Sequence, residues 1–254
     1  MKSNSTTLGH LSQISIGTSN LSESIEFWKK LGFHLVIQEK IPFPWVQFTD
    51  ESILVYLIED KQQYTRLTYF NPDIDNKIAE LEKSGITFLE KIKDASNNVV
   101  VARVSSPDNF VISIVKRDIT MLYYPTKDTM LTMNQADLMN PEKMPTGLGI
   151  FGEFCHPVSD LKISIAFWKK LGFEDKGIHE HPYPWTIMTD NKSIIGLHQT
   201  KDFSTPAITF FAPDMKVRID KLKAEGIEGK EMGMGADNIV VTTPEGAKIF
   251  LFKL

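Results

Sequence analysis

Ser24-Ile25-Glu26-Phe27-Trp28-Lys29-Lys30-Leu31-Gly32-Phe33 returns as Ser164-Ile165-Ala166-Phe167-Trp168-Lys169-Lys170-Leu171-Gly172-Phe173, nine of ten residues identical at an offset of 140 positions. The matches continue in the same order. Pro42-Phe43-Pro44-Trp45 pairs with Pro182-Tyr183-Pro184-Trp185, and Thr49-Asp50 with Thr189-Asp190. Phe70-Asn71-Pro72-Asp73 pairs with Phe211-Ala212-Pro213-Asp214 at an offset of 141, and Ser106-Pro107-Asp108 with Thr243-Pro244-Glu245 at 137. Colinear matches with small drifts mark a tandem duplication with loop insertions and deletions. They divide the chain into a first domain over 1–118, a linker over 119–146 and a second domain over 147–254.

Each half holds a second pattern. Gln13 to Thr18 alternates, with Ile14 and Ile16 on one face and Gln13, Ser15 and Gly17 on the other, as a strand does. Ser22 is placed to cap a helix that carries Ile25, Trp28 and Leu31 at helical spacing, and Gly32 to end it. Strands are expected at 33–38, 45–49 and 53–58. The order then restarts. A strand at 66–71 leads to a helix that begins at Asp73 or Asp75, carries Ile74, Ile78 and Leu81 and ends at Gly85, followed by strands at 87–89, 98–105 and 110–116. The second half repeats this order, through a strand at 208–212, a helix with Met215, Ile219 and Leu222 closed at Gly226, and strands at 238–243 and 248–252. The chain thus reads as four βαβββ modules, an α+β fold in which helices cover one face of curved mixed sheets and leave a concave face for a ligand.

The linker has no counterpart. It carries Pro125, Pro141 and Pro145 with Met121, Met130, Met133, Met139 and Met144, and reads as a crossing segment packed through flexible thioethers. The composition is ordinary for a globular protein, with 254 residues, 42% hydrophobic and 24% charged. A net charge of -4 from 28 basic and 32 acidic residues gives no footprint for nucleic acid or an anionic membrane. No apolar run is long enough to span a bilayer, and Met1 to Thr7 lacks the apolar core of a signal peptide. The single cysteine, Cys155, excludes an internal disulfide and a multi-thiolate metal site, so a reducing cytoplasm is the simplest location.

The repeated Ser24-Ile25-Glu26-Phe27-Trp28 with Leu31-Gly32-Phe33 resembles the first-helix signature of the vicinal oxygen chelate superfamily, which includes glyoxalase I, extradiol dioxygenases, fosfomycin-resistance enzymes and bleomycin-binding proteins. The turns Pro107-Asp108 and Pro244-Glu245 resemble the family's turn before the last strand. The resemblance implies a divalent metal on the concave face, with ligands from the first, fourth, fifth and last strands of each domain. Carried over to this chain, those positions are Gln13, Tyr56, Arg66 and Ser113 in the first half, and Glu153, Gly196, Ala207 and Phe250 in the second, with His198 a possible substitute for Gly196. Arg66 brings a fixed positive charge, which opposes a cation. Pairing the modules across the duplication sets Gln13 and Tyr56 with Ala207 and Phe250, and Glu153 and His198 with Arg66 and Ser113. Neither arrangement yields three ligands, so no metal and no other cofactor is expected.

Glu153, His198 and Arg66 could bind an acid or an amide or move a proton; their plain reading is a salt bridge beside a satisfied histidine. Tyr56, Phe70, Phe211, Phe250 and Phe252 fall on concave positions, where they could stack on a flat ligand or simply fill the core. Trp45 and Trp185, each after Pro-aromatic-Pro, fix a loop and wall the cleft. His156 takes the helix-facing slot of Ile16, and Cys155 lies beside Glu153, where a nucleophilic role needs a base such as His198. Three functions are therefore open: a metal-independent binder of a small aromatic or amphipathic molecule, a lyase, isomerase or ring-cleaving dioxygenase of the same superfamily, or a partner-binding protein with no small ligand. The chain is expected as a monomer or a homodimer.

Overall fold

The computed structural model describes residues 7–120, 122–233 and 235–254. Met121 and the N-terminal stretch before Thr7 lie outside the described residues. Four βαβββ modules follow one another. The first comprises β1 (Leu11–Gly17), α1 (Leu21–Lys30), β2 (His34–Glu39), β3 (Trp45–Thr49) and β4 (Leu54–Ile58). The second comprises β5 (Thr65–Phe70), α2 (Ile74–Lys83), β6 (Phe88–Lys93), β7 (Val99–Ser105) and β8 (Val111–Val115). After a 3-10 turn at Pro141–Lys143, the third runs through β9 (Ile150–Pro157), α3 (Leu161–Lys170), β10 (Glu174–His179), β11 (Trp185–Thr189) and β12 (Ile194–His198). The fourth is β13 (Ala207–Ala212), α4 (Met215–Ala224), β14 (Gly229–Glu231), β15 (Ile239–Thr242) and β16 (Lys248–Lys253). The α+β class expected from the sequence is the one observed. Two eight-stranded mixed sheets have the orders β2-β3-β4-β1-β5-β8-β7-β6 and β10-β11-β12-β9-β13-β16-β15-β14, the same path twice.

The alternation of residues sets the faces. Val46, Phe48, Val55 and Leu57 are fully buried on the face that packs on α1, where Trp28 meets the ring of Phe33 edge-on at 4.9 Å. Gln47 and Tyr56, directly opposite each other across β3 and β4, lie on the other face. In the second module Leu67, Tyr69, Ala102, Val104, Ile112 and Ile114 are buried on the α2 side with Ile74, Ile78 and Leu81. Removing such side chains from water is the main stabilising term, about 25 cal/mol per Å² of apolar surface.

Local chemistry ends the helices. Asn20, not Ser22, caps α1: its side-chain oxygen accepts from the Glu23 amide at 3.3 Å, while its own amide donates to the Glu23 carboxylate at 3.1 Å. Asp160 caps α3 by accepting from the Ile163 amide at 3.0 Å. Asn and Asp fit this role because the short side chain reaches back to the free amides of the first turn; Ser22 lies inside that turn, exposed. Asn20→Ala is expected to cost about 1 kcal/mol, read as a shift in the urea midpoint at unchanged slope. Gly32 and Gly172 follow α1 and α3 at φ 91° and 92°, a left-handed conformation that only glycine adopts without strain.

Two edge strands differ from expectation. β6 runs to Lys93 rather than ending at Leu89, and β14 arises where no strand is expected. Both are exposed and charged, as edges that resist pairing with other chains are, so no apolar alternation betrays them.

By proximity of Cα atoms the chain gathers into two compact units, each from three segments. The first unit takes the residues up to Gln13, Arg66–Tyr123 and His156–Ser204; the second takes Ile14–Thr65, Tyr124–Cys155 and Thr205–Leu254. Among the described residues no helix is long and apolar enough to cross a membrane.

Candidate functional site

In the first unit, β5, β8 and β7 carry a polar row on the face away from α2. Thr68 stands opposite Ser113, and Ser113 opposite Arg103. Directly opposed residues of neighbouring strands share a face, and Arg66, two positions before Thr68, shares it too. Thr68 and Ser113 are buried at 5% and 3% exposure, while Arg66 and Arg103 are half-buried. Arg103 donates from Nη1 to the Glu90 carboxylate, its neighbour across β6. Half-exposed Val101, Val111 and Val115 border the row. Gln13, also in this unit, is buried on β1.

The third module supplies the other half of the first unit. Trp185 stands opposite His198 across β11 and β12, and the two rings lie parallel, 5.8 Å apart and 7° from coplanar. Tyr183 and Phe203 meet the same imidazole edge-on at 5.8 Å and 5.7 Å. Trp185 also stacks on His179 at 4.2 Å, and its indole N–H donates to the His181 carbonyl at 3.0 Å, which ties down the loop before β11. Trp185, Tyr183, His198 and Phe203 all stay half-exposed. The sequence pointed to Trp185 and His198. It did not single out their ring partners: Tyr183 and Phe203 come from loops whose path no periodicity records, and His179, the last residue of β10, meets Trp185 through the register of β10 on β11.

In the second unit, Trp45 and Tyr56 form a tilted ring pair at 5.0 Å. Glu153, Thr209, Phe250 and Val240 stand in one row across β9, β13, β16 and β15. Phe250, Phe252 and Phe211 form a chain of tilted rings at 5.7 Å and 5.8 Å. The Phe211 ring lies across β9 where Gly152 has no side chain; a Cβ there would fall 2.3 Å from it. Cys155 is buried beside Glu153, and burial first, then the Glu153 carboxylate, push its thiol far above the usual range. It is held as a thiol, which speaks against a nucleophilic role.

The units distribute the expected residues. Arg66, Ser113, His198, Trp185 and Gln13 belong to the first; Tyr56, Trp45, Glu153 and Phe250 belong to the second. The metal implied by the superfamily does not fit these donors. Among the described residues no three His, Cys, Asp or Glu side chains gather closely enough to hold an ion. At the implied positions a guanidinium, a phenyl ring and Ala207 offer no lone pair to a cation.

Three further features escaped the sequence reading. The Tyr69 hydroxyl donates to Asp190 Oδ2 at 2.8 Å in the buried core of the first unit. Burial holds the Asp190 carboxyl above the usual carboxylate range, against hydrogen bonds from Tyr69, Lys192 and Ser193; burial and that carboxylate raise the Tyr69 phenol. The repeated Thr-Asp of the duplication was the available signal. Asp108 of the Pro-Asp turn accepts from the Ser159 amide and hydroxyl at 2.8 Å and 2.7 Å and from the Ser164 hydroxyl at 2.6 Å. An open cleft of roughly 710 Å³ lies beside that turn, lined among others by Asn109, Val158, Lys201 and Phe203.

No protein-family model matches this sequence, and no curated protein matches it. Solved structures do. A catechol 2,3-dioxygenase superposes with a TM-score of 0.58 at 14% identity, over 96% of this chain and 87% of the other. Homoprotocatechuate 2,3-dioxygenase from Arthrobacter globiformis gives 0.60 at 15% identity, over 98% and 81%. A variant of the enzyme of the same name from B. fuscum gives 0.59 at 15%, over 95% and 70%. Likeness at this level of identity shows the fold. The chain shares the overall fold of these dioxygenases.

Proposed function

We propose that the chain binds a small aromatic molecule on the sheet face away from the helices, without a resident metal. One observation carries this reading: four half-exposed rings, Trp185, His198, Tyr183 and Phe203, stand together in the first unit. Rings that serve only a core are covered by it, whereas rings left open at a sheet surface offer stacking area to a flat ligand. The domains 1–118 and 147–254 are then units of duplication and the two compact units are units of function, acting in the cytoplasm.

A second reading is a metal-dependent ring-cleaving dioxygenase of the same superfamily. The structural neighbours favour it over a metal-free binder, since the three compared above carry that activity in their names. The donor set speaks the other way.

Catechol is the probe that separates the two. Calorimetric titration is expected to show saturable one-to-one binding, weakened at least tenfold by Trp185→Ala. Oxygen consumption is expected to stay at background when ferrous iron, catechol and air are supplied together. Oxygen uptake proportional to the protein would replace the binder by the dioxygenase, and absence of saturable binding at millimolar catechol would sink the aromatic site itself.

A further inference from the structure

We infer that the row formed by Arg103, Ser113 and Thr68, with Arg66 beside it, is an anion subsite that takes the carboxylate of an aromatic acid. This rests on the reading of the first unit as an aromatic-binding unit and narrows its ligand. The argument starts from two buried donors. Ser113 Oγ and Arg103 Nε are both shut off from water and neither has a hydrogen-bond partner among the described residues. A buried polar group left without a partner costs about 1–3 kcal/mol, and folded proteins rarely leave one without a reason. Register sets these two donors on directly opposed residues of β7 and β8.

A cation does not meet their needs. The guanidinium of Arg103 is a donor-only cation with no lone pair to give. Glu90 engages only Nη1 of Arg103, at the sheet edge, and leaves Nε facing inward. Arg66 adds a second permanent positive charge on the same face, one strand beyond Ser113. The Arg103 Nε and the Ser113 hydroxyl are the donors in want of an acceptor, and a carboxylate satisfies both at once, with a charge-assisted bond to the guanidinium. The half-exposed valines that border the row suit the apolar body of the ligand and do not compete for the charge. The duplication supplies an internal contrast. In the fourth module the position equivalent to Ser113 is Phe250 and that of Arg66 is Ala207, so the charged row exists once in the chain and not twice.

The test compares phenylacetate with phenylacetamide, which differ in charge and hardly in shape. Calorimetry on the full chain is expected to show phenylacetate binding at least tenfold tighter than the amide. Ser113→Ala and Arg103→Gln are each expected to remove most of that preference while catechol affinity stays within twofold. Ser113→Ala deletes one oxygen from a buried site and keeps the fold, so the test does not hinge on the arginine. Equal binding of acid and amide, or a preference untouched by both variants, overturns the subsite even if catechol binds. Preferential binding of phenylacetate that depends on Arg103 while catechol fails to bind supports the subsite and overturns the wider reading. If nothing binds, both fall.

Discussion

His156→Ile is expected to make the protein markedly more resistant to acid. His156 sits in the core of the first unit at 3% exposure, its ring 4.0 Å from that of Phe110 and 6.2 Å from that of Trp168. Burial, with the nearby His198 as a lesser cause, lowers its pKa from 6.5 to about 3. The unfolded chain therefore takes up a proton between pH 6.5 and 3 that the folded chain refuses. Stability contributed by the neutral ring is present above the unfolded value and is lost as the pH falls through that window, at about 1.4 kcal/mol per pH unit. The duplication names the replacement, since the equivalent position in the first half is Ile16, itself buried. At pH 7 the variant should lie within about 1.5 kcal/mol of the wild type, because lost ring contacts and gained apolar burial roughly offset each other. Between pH 7 and pH 4.5 the wild type should lose on the order of 3 kcal/mol more than the variant. Urea unfolding at the two pH values measures both terms. Parallel losses in the two proteins would show that the histidine is not held neutral.

That histidine also shows how far the sequence could be read. Its slot on the helix-facing side of β9 followed from alternation and from the duplication, and both depend only on the two-residue period of a strand. The same period set Tyr56 on the face away from the helices, and the duplication, with the strand–helix order restarting inside each half, led to four modules. What stayed hidden depends on geometry that no period carries. The cap at Asn20 rests on a reach of one side chain to one amide, and Ser22 satisfied the same rule on paper. β6 and β14 are exposed edges whose charged residues follow no pattern. The ring set about His198 assembles from a strand start, a strand end and a loop. The open lie of the Phe211 ring depends on the missing side chain of Gly152. Arg66 illustrates the middle ground. Its residue type already argued against a cation, but the neighbours that turn it into part of a row, Arg103 and Thr68, come from strand register alone.

Tyr69→Phe is expected to cost about 2 kcal/mol at neutral pH and distinctly less near pH 4. The hydroxyl is the donor to Asp190 Oδ2, while Oδ1 is served by the Lys192 and Ser193 amides at 2.9 Å each. Without the phenol, a buried carboxylate oxygen loses its partner and its desolvation is no longer offset. The sign of the pH dependence follows from the raised pKa of Asp190. The stability tied to its protonated form is complete below the ordinary Asp value and is lost as the pH rises through the folded value. Removing the phenol takes away a bond that favours the charged form, so the folded value climbs further and the penalty grows with pH. The second copy of the motif shows the state that the variant would create. Phe210 stands where Tyr69 stands, and the matching Asp50 keeps the hydrogen bonds to Oδ1 from Ser52 and Ile53, but its Oδ2 is buried with no hydrogen-bond partner among the described residues. A double-mutant cycle with Asp190→Asn isolates the pair: a coupling of about 1–2 kcal/mol at pH 7 that shrinks at pH 4 is the expected result. A coupling independent of pH would mean that the phenol acts by filling space and that the carboxylate charge is not what it serves.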